Sequence, residues 1–184
     1  MYNVMLSVLS GLVASVVFFL VLLIIRPKIL ISPKIAVAEE HGEIIYRVKV
    51  VNITKADLID VKYSLHFCVP DGECLVGVVE KEPARPKLKT IHSYSRRSNN
   101  DEYAVRISYI LDRLKLEINT KSYLEFRIEG KHMLSGTIGY AKKRYYIDDI
   151  EEGIFETGKS LRINPVKLRY SHFNYSSNYK TVVR

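Results

Sequence analysis

The sequence predicts an all-β domain of the sandwich type behind a single N-terminal transmembrane α-helix. Two observations support this prediction: residues 2–25 contain no charged side chain, and apolar and polar residues alternate with period two through much of the remaining chain. No amphipathic helix long enough for repeated crossovers lies between the alternating segments, which favours packed antiparallel sheets over a parallel sheet. We divide the chain into a transmembrane helix at 1–26, a membrane-proximal linker at 27–43, a β-sandwich at 44–165 and a basic, Tyr-rich tail at 166–184.

The N-terminal apolar segment is long enough to cross a membrane, because roughly 20 helical residues span a hydrocarbon layer of about 30 Å. A cleaved signal peptide is the competing interpretation. It requires a positively charged start and a small-residue cleavage site, whereas this start is neutral and Phe18 to Ile25 are all bulky. Arg26, Lys28 and Lys34 follow the segment and no basic residue precedes it. The positive-inside rule therefore predicts a single-pass protein of the cell membrane, with its N-terminus outside and its β domain cytoplasmic.

Small residues form a stripe along the predicted helix. Ser7, Gly11 and Ser15 recur at intervals of four, and Ser10 with Ala14 forms an adjacent row. Helices in lipid associate through close backbone approach, which small side chains permit. The stripe predicts a homo-oligomer; the alternative is that small residues are simply common in membrane spans.

Period-two alternation also locates the individual strands. The predicted strands cover 44–50, 59–67, 74–79, 105–109, 124–128, 137–147 and 160–163. A short helix is expected around 110–118, and the Pro-containing segment 81–97 is expected to be irregular.

The chain is basic, with 28 Lys and Arg residues against 20 Asp and Glu residues and a formal net charge of +8. This charge favours anionic partners, meaning either lipid headgroups or a nucleotide or nucleic-acid ligand. The candidate residues for an anionic ligand form two clusters, which comprise Lys87, Lys89, Arg96, Arg97, Lys142, Lys143 and Arg144. Tyrosines between the basic residues of the tail could stack on bases, or the tail could be disordered.

One group of residues has the composition of a metal site. His66 and Cys68 share a strand face, and the turn at 69–73 is expected to bring Cys74 towards Cys68. Reduced thiols, a disulfide and a zinc site are the three interpretations. Zinc needs a fourth ligand that the sequence does not supply, and a cytoplasmic location disfavours a disulfide, so we predict reduced thiols and no metal.

Catalytic chemistry finds little support in the sequence. The usual motifs of hydrolases and nucleotide-binding enzymes do not occur. We therefore expect neither an enzyme nor a cofactor.

Several short motifs occur in a suggestive order, namely Arg26-Pro27-Lys28, Tyr46-Arg47-Val48, Phe126-Arg127-Ile128-Glu129-Gly130, Ser135-Gly136-Thr137 and Tyr145-Tyr146-Ile147-Asp148-Asp149-Ile150. This order resembles the cytoplasmic domain of inward-rectifier potassium channels. The resemblance implies an immunoglobulin-like β-sandwich, assembly as a tetramer, and contact of Arg26 and Lys28 with anionic headgroups. It does not extend to a pore helix, a second span or a selectivity filter, so it does not imply potassium selectivity.

The architecture, a single span with a cytoplasmic sensor domain, resembles small membrane-disrupting effectors of bacterial antiviral defence. We therefore expect an oligomeric membrane effector that forms a pore or channel gated by an anionic ligand on the β-sandwich. The alternative is a membrane-tethered module that recruits another protein through its sheets and transports nothing.

Overall fold

The computed structural model describes residues 2–24, 26–40, 42–71, 74–81, 88–94, 102–110 and 122–166. Within these residues the chain forms one helix, α1 (Tyr2–Ile24), and a set of strands. The strands are β1 (Ile29–Ile31), β2 (Ile35–Glu40), β3 (Glu43–Asn52), β4 (Leu58–Asp71), β5 (Cys74–Lys81), β6 (Thr90–Ile91), β7 (Ala104–Ile110), β8 (Tyr123–His132), β9 (Ile138–Tyr145), β10 (Ile150–Glu152), β11 (Ile154–Phe155) and β12 (Ile163–Asn164). The predicted β-rich chain behind an apolar N-terminal helix is confirmed.

The helix α1 contains a candidate membrane span, Asn3–Leu22, and none of that window is buried inside the chain. Its apolar side chains therefore find no cover within the described part of the protein. A helix of this length and composition is long and apolar enough to cross a bilayer.

The first sheet is organised around β3. One edge of β3 pairs with β7, and the other edge pairs with β2 and then with β1. Ser32 lies between β1 and β2 and stays attached to this edge, because its main-chain nitrogen donates to Lys49 O at 2.8 Å and its hydroxyl accepts from Lys49 N at 3.2 Å. The strand β10 pairs in parallel with β2 and completes the sheet.

The second sheet has the order β5, β4, β8, β9, with β6 beside the start of β4. The pairing of β4 with β8 shifts register between Ile59 and Lys62, where Asp60 adopts a φ of 52°. A bulge of this kind bends a strand and increases its local twist. The strands β11 and β12 form a separate two-stranded sheet.

Side chains from both five-stranded sheets join one hydrophobic core. Val48 of the first sheet belongs to the same buried cluster as Leu65 and Phe126 of the second. The hydroxyl of Tyr145 also donates a buried hydrogen bond of 2.8 Å to Ser32 O, which joins β9 to the edge of the first sheet. The alternating apolar positions of the sequence are thus the core-facing positions of the two sheets.

Most predicted strands fall inside observed ones. The segments 44–50, 59–67, 74–79, 105–109 and 124–128 lie within β3, β4, β5, β7 and β8. The predicted strand 137–147 instead ends at Tyr145, because a 3₁₀ turn over Ile147–Asp149 follows, with Asp149 Oδ2 accepting from Tyr146 N at 2.9 Å. Of the predicted strand 160–163, only Ile163 is in a strand.

The segment 27–43, expected to be a linker, contains β1 and β2. Ile35, Ala36, Val37 and Ala38 are all buried, so β2 is covered on both faces. A strand covered on both faces lacks the alternation on which the sequence prediction relied. The expected helix at 110–118 would begin at Ile110, which is instead the last residue of β7, and residues 111–118 and the tail beyond 166 lie outside the described residues.

Candidate functional site

The second sheet turns one face away from the core, and that face carries polar side chains. Alternation along β8 sends Leu124, Phe126 and Ile128 into the core and directs Glu125 and Arg127 to the opposite side. The strands β4 and β9 contribute the side chains beside them. We define this polar face by Lys62, Ser64, His66, Glu125, Arg127, Glu129, Tyr140, Lys142 and Arg144.

The register arranges the polar face as three rows that run across the strands. From β4 through β8 to β9, the rows are His66, Glu125 and Arg144; Ser64, Arg127 and Lys142; and Lys62, Glu129 and Tyr140. Directly opposed side chains in antiparallel strands have Cβ atoms about 4.5–5.5 Å apart, so members of a row interact. Two basic side chains, Arg127 and Lys142, are therefore immediate neighbours.

A buried carboxylate fixes the two arginines. The side chain of Glu125 is 3% exposed, whereas those of Arg127 and Arg144 are 46% and 51% exposed. Arg127 Nε donates to Glu125 Oε1 at 2.7 Å, and Arg144 Nε donates to Glu125 Oε2 at 2.9 Å. Each oxygen of one carboxylate thus orients one half-exposed guanidinium group.

The ionisation of Glu125 reflects this pairing. Burial alone would raise the pKa of Glu125, but the hydrogen bonds from Arg144 and Arg127 and the positive charges of Arg127 and Lys142 outweigh it, so the pKa lies below its ordinary value. The hydrogen bonds to Glu125 also raise the pKa of both arginines. Glu125, Arg127 and Arg144 are therefore all ionised at neutral pH.

Both guanidinium groups keep hydrogen-bonding capacity. An arginine has five N–H donors in a planar fork. In the described contacts with Glu125, Arg144 uses its Nε group, and Arg127 uses Nε and Nη2. The Arg144 guanidinium carbon also lies 4.9 Å from the centre of the Tyr123 ring, which supports it from one side. The remaining N–H groups are suited to a carboxylate or phosphate ligand.

A shallow groove of about 460 Å³ runs across the second and third rows of the polar face. It lies beside the bulge in β4, and its polar lining includes Lys62, Ser64, Arg127, Glu129 and Tyr140. Lys62 Nζ and Glu129 Oε1 are 3.4 Å apart at the exposed side of this groove. With four basic side chains against two carboxylates, the polar face as a whole is positive, which suits an anionic ligand.

The sequence-predicted cluster Lys142, Lys143 and Arg144 is split by the strand. Lys142 and Arg144 lie on the polar face, whereas Lys143 is paired with Phe126 and projects to the other side of the sheet. Lys89 is exposed, and its main-chain oxygen accepts from Val61 N at 3.1 Å. The remaining predicted ligand residues, Lys87, Arg96 and Arg97, lie outside the described residues.

The predicted oligomerisation residues all lie on the exposed surface of α1, at Ser7, Ser10, Gly11, Ala14 and Ser15. Ser15 Oγ donates to Gly11 O at 2.9 Å, and Ser10 Oγ donates to Ser7 O at 3.0 Å. These bonds satisfy the hydroxyl donors within the helix. The predicted headgroup residues Arg26 and Lys28 are also exposed and follow the end of α1 directly.

The expectation that Cys74 approaches Cys68 is wrong. In the hairpin of β4 and β5, Cys68 is paired with Val78, whereas Cys74 is paired with Asp71 near the turn. Three residues of strand separate these positions, or about 10 Å, which exceeds the reach of a disulfide. Cys68 is a buried free thiol, and burial raises its pKa, with a smaller contribution from Glu125. Among the described residues, no three His, Cys, Asp or Glu side chains form a group that could hold a metal ion.

Sequence reasoning missed Glu125 and Arg127 as site residues. It placed both in the predicted strand 124–128, and it named Arg127 only as part of the motif that resembles the inward-rectifier domain. The pairing with β9 gives them a role, and that pairing is not visible in the order of residues.

Comparison with known proteins finds no family model that matches the chain and no curated protein with a significant match.

Proposed function

We propose that this protein is a single-pass membrane effector whose cytoplasmic β domain binds an anionic ligand, a nucleotide or short nucleic acid, on the polar face. The observation that carries the proposal is the pair Arg127 and Arg144, held in fixed positions by the buried Glu125. A rigid pair of half-exposed guanidinium groups is pre-organised for phosphate, because little side-chain entropy is lost when the ligand binds. Lys142, opposite Arg127, adds a third positive charge.

We further propose that the two five-stranded sheets form an immunoglobulin-like β-sandwich, as in the inward-rectifier domain that the sequence resembles. The shared hydrophobic core of the two sheets supports this interpretation. In the tetramer that the same resemblance implies, four copies of α1 would line or seal a conduit. Arg26 and Lys28 would contact anionic headgroups at the cytoplasmic end of this conduit.

Gating in this proposal follows from differential affinity. A ligand shifts a closed–open equilibrium only to the extent that it binds one state more tightly. The polar face could meet this condition if neighbouring subunits approach each other there, so that one ligand contacts basic residues from more than one copy. Such a ligand-controlled pore is the type of activity used by membrane-disrupting effectors of antiviral defence.

The alternative, a membrane-tethered recruitment module, would use a free sheet edge. Among the described strands, β9 pairs only with β8, so its other edge has no strand partner there. However, β9 carries three consecutive basic residues, Lys142, Lys143 and Arg144, and charged edge strands resist the addition of another strand. This observation favours ligand binding over strand addition.

Ligand binding is tested with the full chain in nanodiscs of neutral lipid, using fluorescent mononucleotides and short oligonucleotides as probes at several salt concentrations. Lys142→Gln should weaken binding and reduce the salt slope by about one counterion, because one phosphate contact is lost. Arg144→Lys should also weaken binding, since it keeps the charge but loses the planar fork. Lys55→Gln is the matched control, because Lys55 is exposed on the turn between β3 and β4, off the polar face.

Two results would refute the anionic ligand: no binding of any probe by the wild type, or equal effects of Lys142→Gln and Lys55→Gln.

Assembly is tested separately with Gly11→Leu. An added Cβ at Gly11 meets nothing within 4 Å in a single chain, so the leucine fits an isolated helix and acts only on partner helices. We expect Gly11→Leu to abolish crosslinked oligomers and vesicle dye release, and Val13→Leu to preserve both. If the wild type is monomeric in the membrane, the pore is refuted and only the membrane-tethered recruitment module remains.

A further inference from the structure

The end of the β domain nearest to α1 exposes large apolar side chains. Met133 and Leu134, in the turn between β8 and β9, are 61% and 76% exposed, and Ile138 at the start of β9 is 72% exposed. Turns are ordinarily built from Gly, Pro, Asn, Asp and Ser, and exposed apolar clusters mark contact surfaces. We call these three residues the apolar tip.

The turn that carries the apolar tip is held by its own hydrogen bonds. His132 N donates to Thr137 O at 2.8 Å, and Gly136 N donates to His132 O at 2.9 Å. The buried ring of His132 lies 2.8 Å from Ser135 Oγ through its Nδ1 atom, and Gly136 supplies a φ of 68° that other residues rarely adopt. The apolar side chains are therefore presented by a fixed backbone.

The apolar tip adjoins the point at which the chain leaves α1. Pro27 packs against Gly139, so closely that a Cβ on Gly139 would lie 2.5 Å from Pro27 Cγ. Only two residues separate Ile24, the end of α1, from Pro27. Because an extended chain spans at most about 3.6 Å per residue, Pro27 lies within about 11 Å of the end of α1. Ile138 is adjacent to Gly139 in the chain and shares this location.

The turn between β3 and β4 belongs to the same end of the domain. Ile53 N donates to Lys28 O at 3.1 Å, and Met133 N donates to Asp57 O at 3.0 Å. Ile53 is itself 38% exposed. Main-chain hydrogen bonds thus connect the helix exit, this turn and the apolar tip into one surface.

The charged residues of this surface are mostly basic. Arg26, Lys28, Lys55 and Lys131 are exposed there. The carboxylate of Asp57 is engaged within the domain, accepting from Ser93 N at 2.6 Å. Apolar side chains surrounded by lysine and arginine are the composition that binds the interface of an anionic bilayer.

We propose that the apolar tip is a second membrane contact, which inserts into the leaflet where α1 ends while Lys55 and Lys131 meet anionic headgroups. The inference rests on the proposed membrane crossing of α1. It places two attachment points on the domain and so fixes its tilt relative to the bilayer. Arg144 lies about 20 Å farther along β9 than Ile138, at about 3.4 Å per residue. With β9 leading away from the bilayer, the polar face stays accessible to a soluble ligand.

The test exploits the absence of tryptophan from the sequence. Leu134→Trp places a single fluorophore in the apolar tip of the full chain, reconstituted in vesicles whose lipid acyl chains carry bromine as a quencher. We expect a blue-shifted emission that brominated lipid quenches and aqueous iodide does not. Tyr146→Trp is the control beyond the far end of β9, and Phe18→Trp reports insertion of α1. In the Leu134→Trp background, Lys55→Gln with Lys131→Gln should reduce quenching in vesicles containing phosphatidylglycerol, but not in pure phosphatidylcholine.

The three tryptophan variants distinguish the second membrane contact from the membrane crossing of α1. If Phe18→Trp is quenched by brominated lipid and Leu134→Trp is no more quenched than Tyr146→Trp, the second contact is refuted while the membrane crossing stands. Protection of Leu134→Trp from iodide without quenching by brominated lipid would identify a protein surface as the occupant and would also refute the lipid contact. Absence of quenching for Phe18→Trp would refute the membrane crossing, and the second contact with it.

Discussion

The ammonium group of Lys49 donates a hydrogen bond of 2.5 Å to the main-chain oxygen of Glu156, 107 residues farther along the chain. The same group donates to Ser160 O at 2.7 Å, and Lys49 as a whole is only 1% exposed. The segment between β11 and β12 therefore covers the outer side of β3 and is fastened there by a buried charge.

Replacement of Lys49 by Met should destabilise the β domain, although the two side chains have similar lengths. Ser160 O would lose its charged donor and Glu156 O would keep only the longer contact from Arg106, and an unsatisfied buried group costs about 1–3 kcal/mol. Denaturant unfolding of the full chain in detergent measures this loss. Arg106→Met is the control, because Arg106 is exposed and its contact with Glu156 O is longer, at 3.4 Å. Equal effects of the two substitutions would show that burial of Lys49 is not what fastens the segment.

The stability of the β domain should fall in acid because of Glu125. Its folded pKa lies below the ordinary value of 4.5, so the unfolded chain binds the proton more readily. The stabilisation is fully present above the unfolded pKa and is lost as the pH falls through the folded pKa.

Glu125→Gln should therefore lower the free energy of unfolding at neutral pH and flatten its decline in acid. The matched control is Glu129→Gln, on the same strand face, because Glu129 makes an exposed pair with Lys62 and such pairs contribute about 0–1 kcal/mol. Unfolding of the three proteins between neutral and acidic pH provides the measurement. An undiminished acid dependence in Glu125→Gln would contradict the assignment.

The fully buried amide of Asn52 should distinguish two conservative substitutions. Its Nδ2 group donates to the main-chain oxygens of Ala56 and His92, both at 3.0 Å, and its Oδ1 atom accepts from Thr54 N at 3.0 Å. Asn52→Ala removes these bonds and leaves Thr54 N and His92 O without them, at about 1–3 kcal/mol for each, whereas Ala56 O keeps a hydrogen bond of 3.0 Å from Thr54 Oγ1. Asn52→Asp keeps the acceptor for Thr54 N but replaces the Nδ2 donor by a buried carboxylate oxygen that faces the carbonyl oxygens of Ala56 and His92, so at neutral pH it should be the less stable variant. Thermal unfolding gives the order, and an aspartate variant as stable as wild type would refute it.

Much of the architecture was predictable because alternation is a local property. The apolar positions of 59–67 and 124–128 identify strands whichever partners they pair with, and the uncharged segment 2–25 identifies an apolar helix for the same reason. The strand β2 was not predicted, because both of its faces are buried and its sequence therefore lacks the alternation of apolar and polar residues.

The candidate site depended on contacts that no local pattern contains. The sequence groups Lys142, Lys143 and Arg144, but the pleat of β9 separates Lys143 from the other two, and the register of β8 with β9 places Glu125 opposite Arg144. The sequence by itself determined most of the strands, the apolar helix and the basic charge of the chain, because these follow from residue type and spacing. Only the tertiary structure decided which charges meet, since residues far apart in the chain become neighbours through strand pairing and the closing of one core.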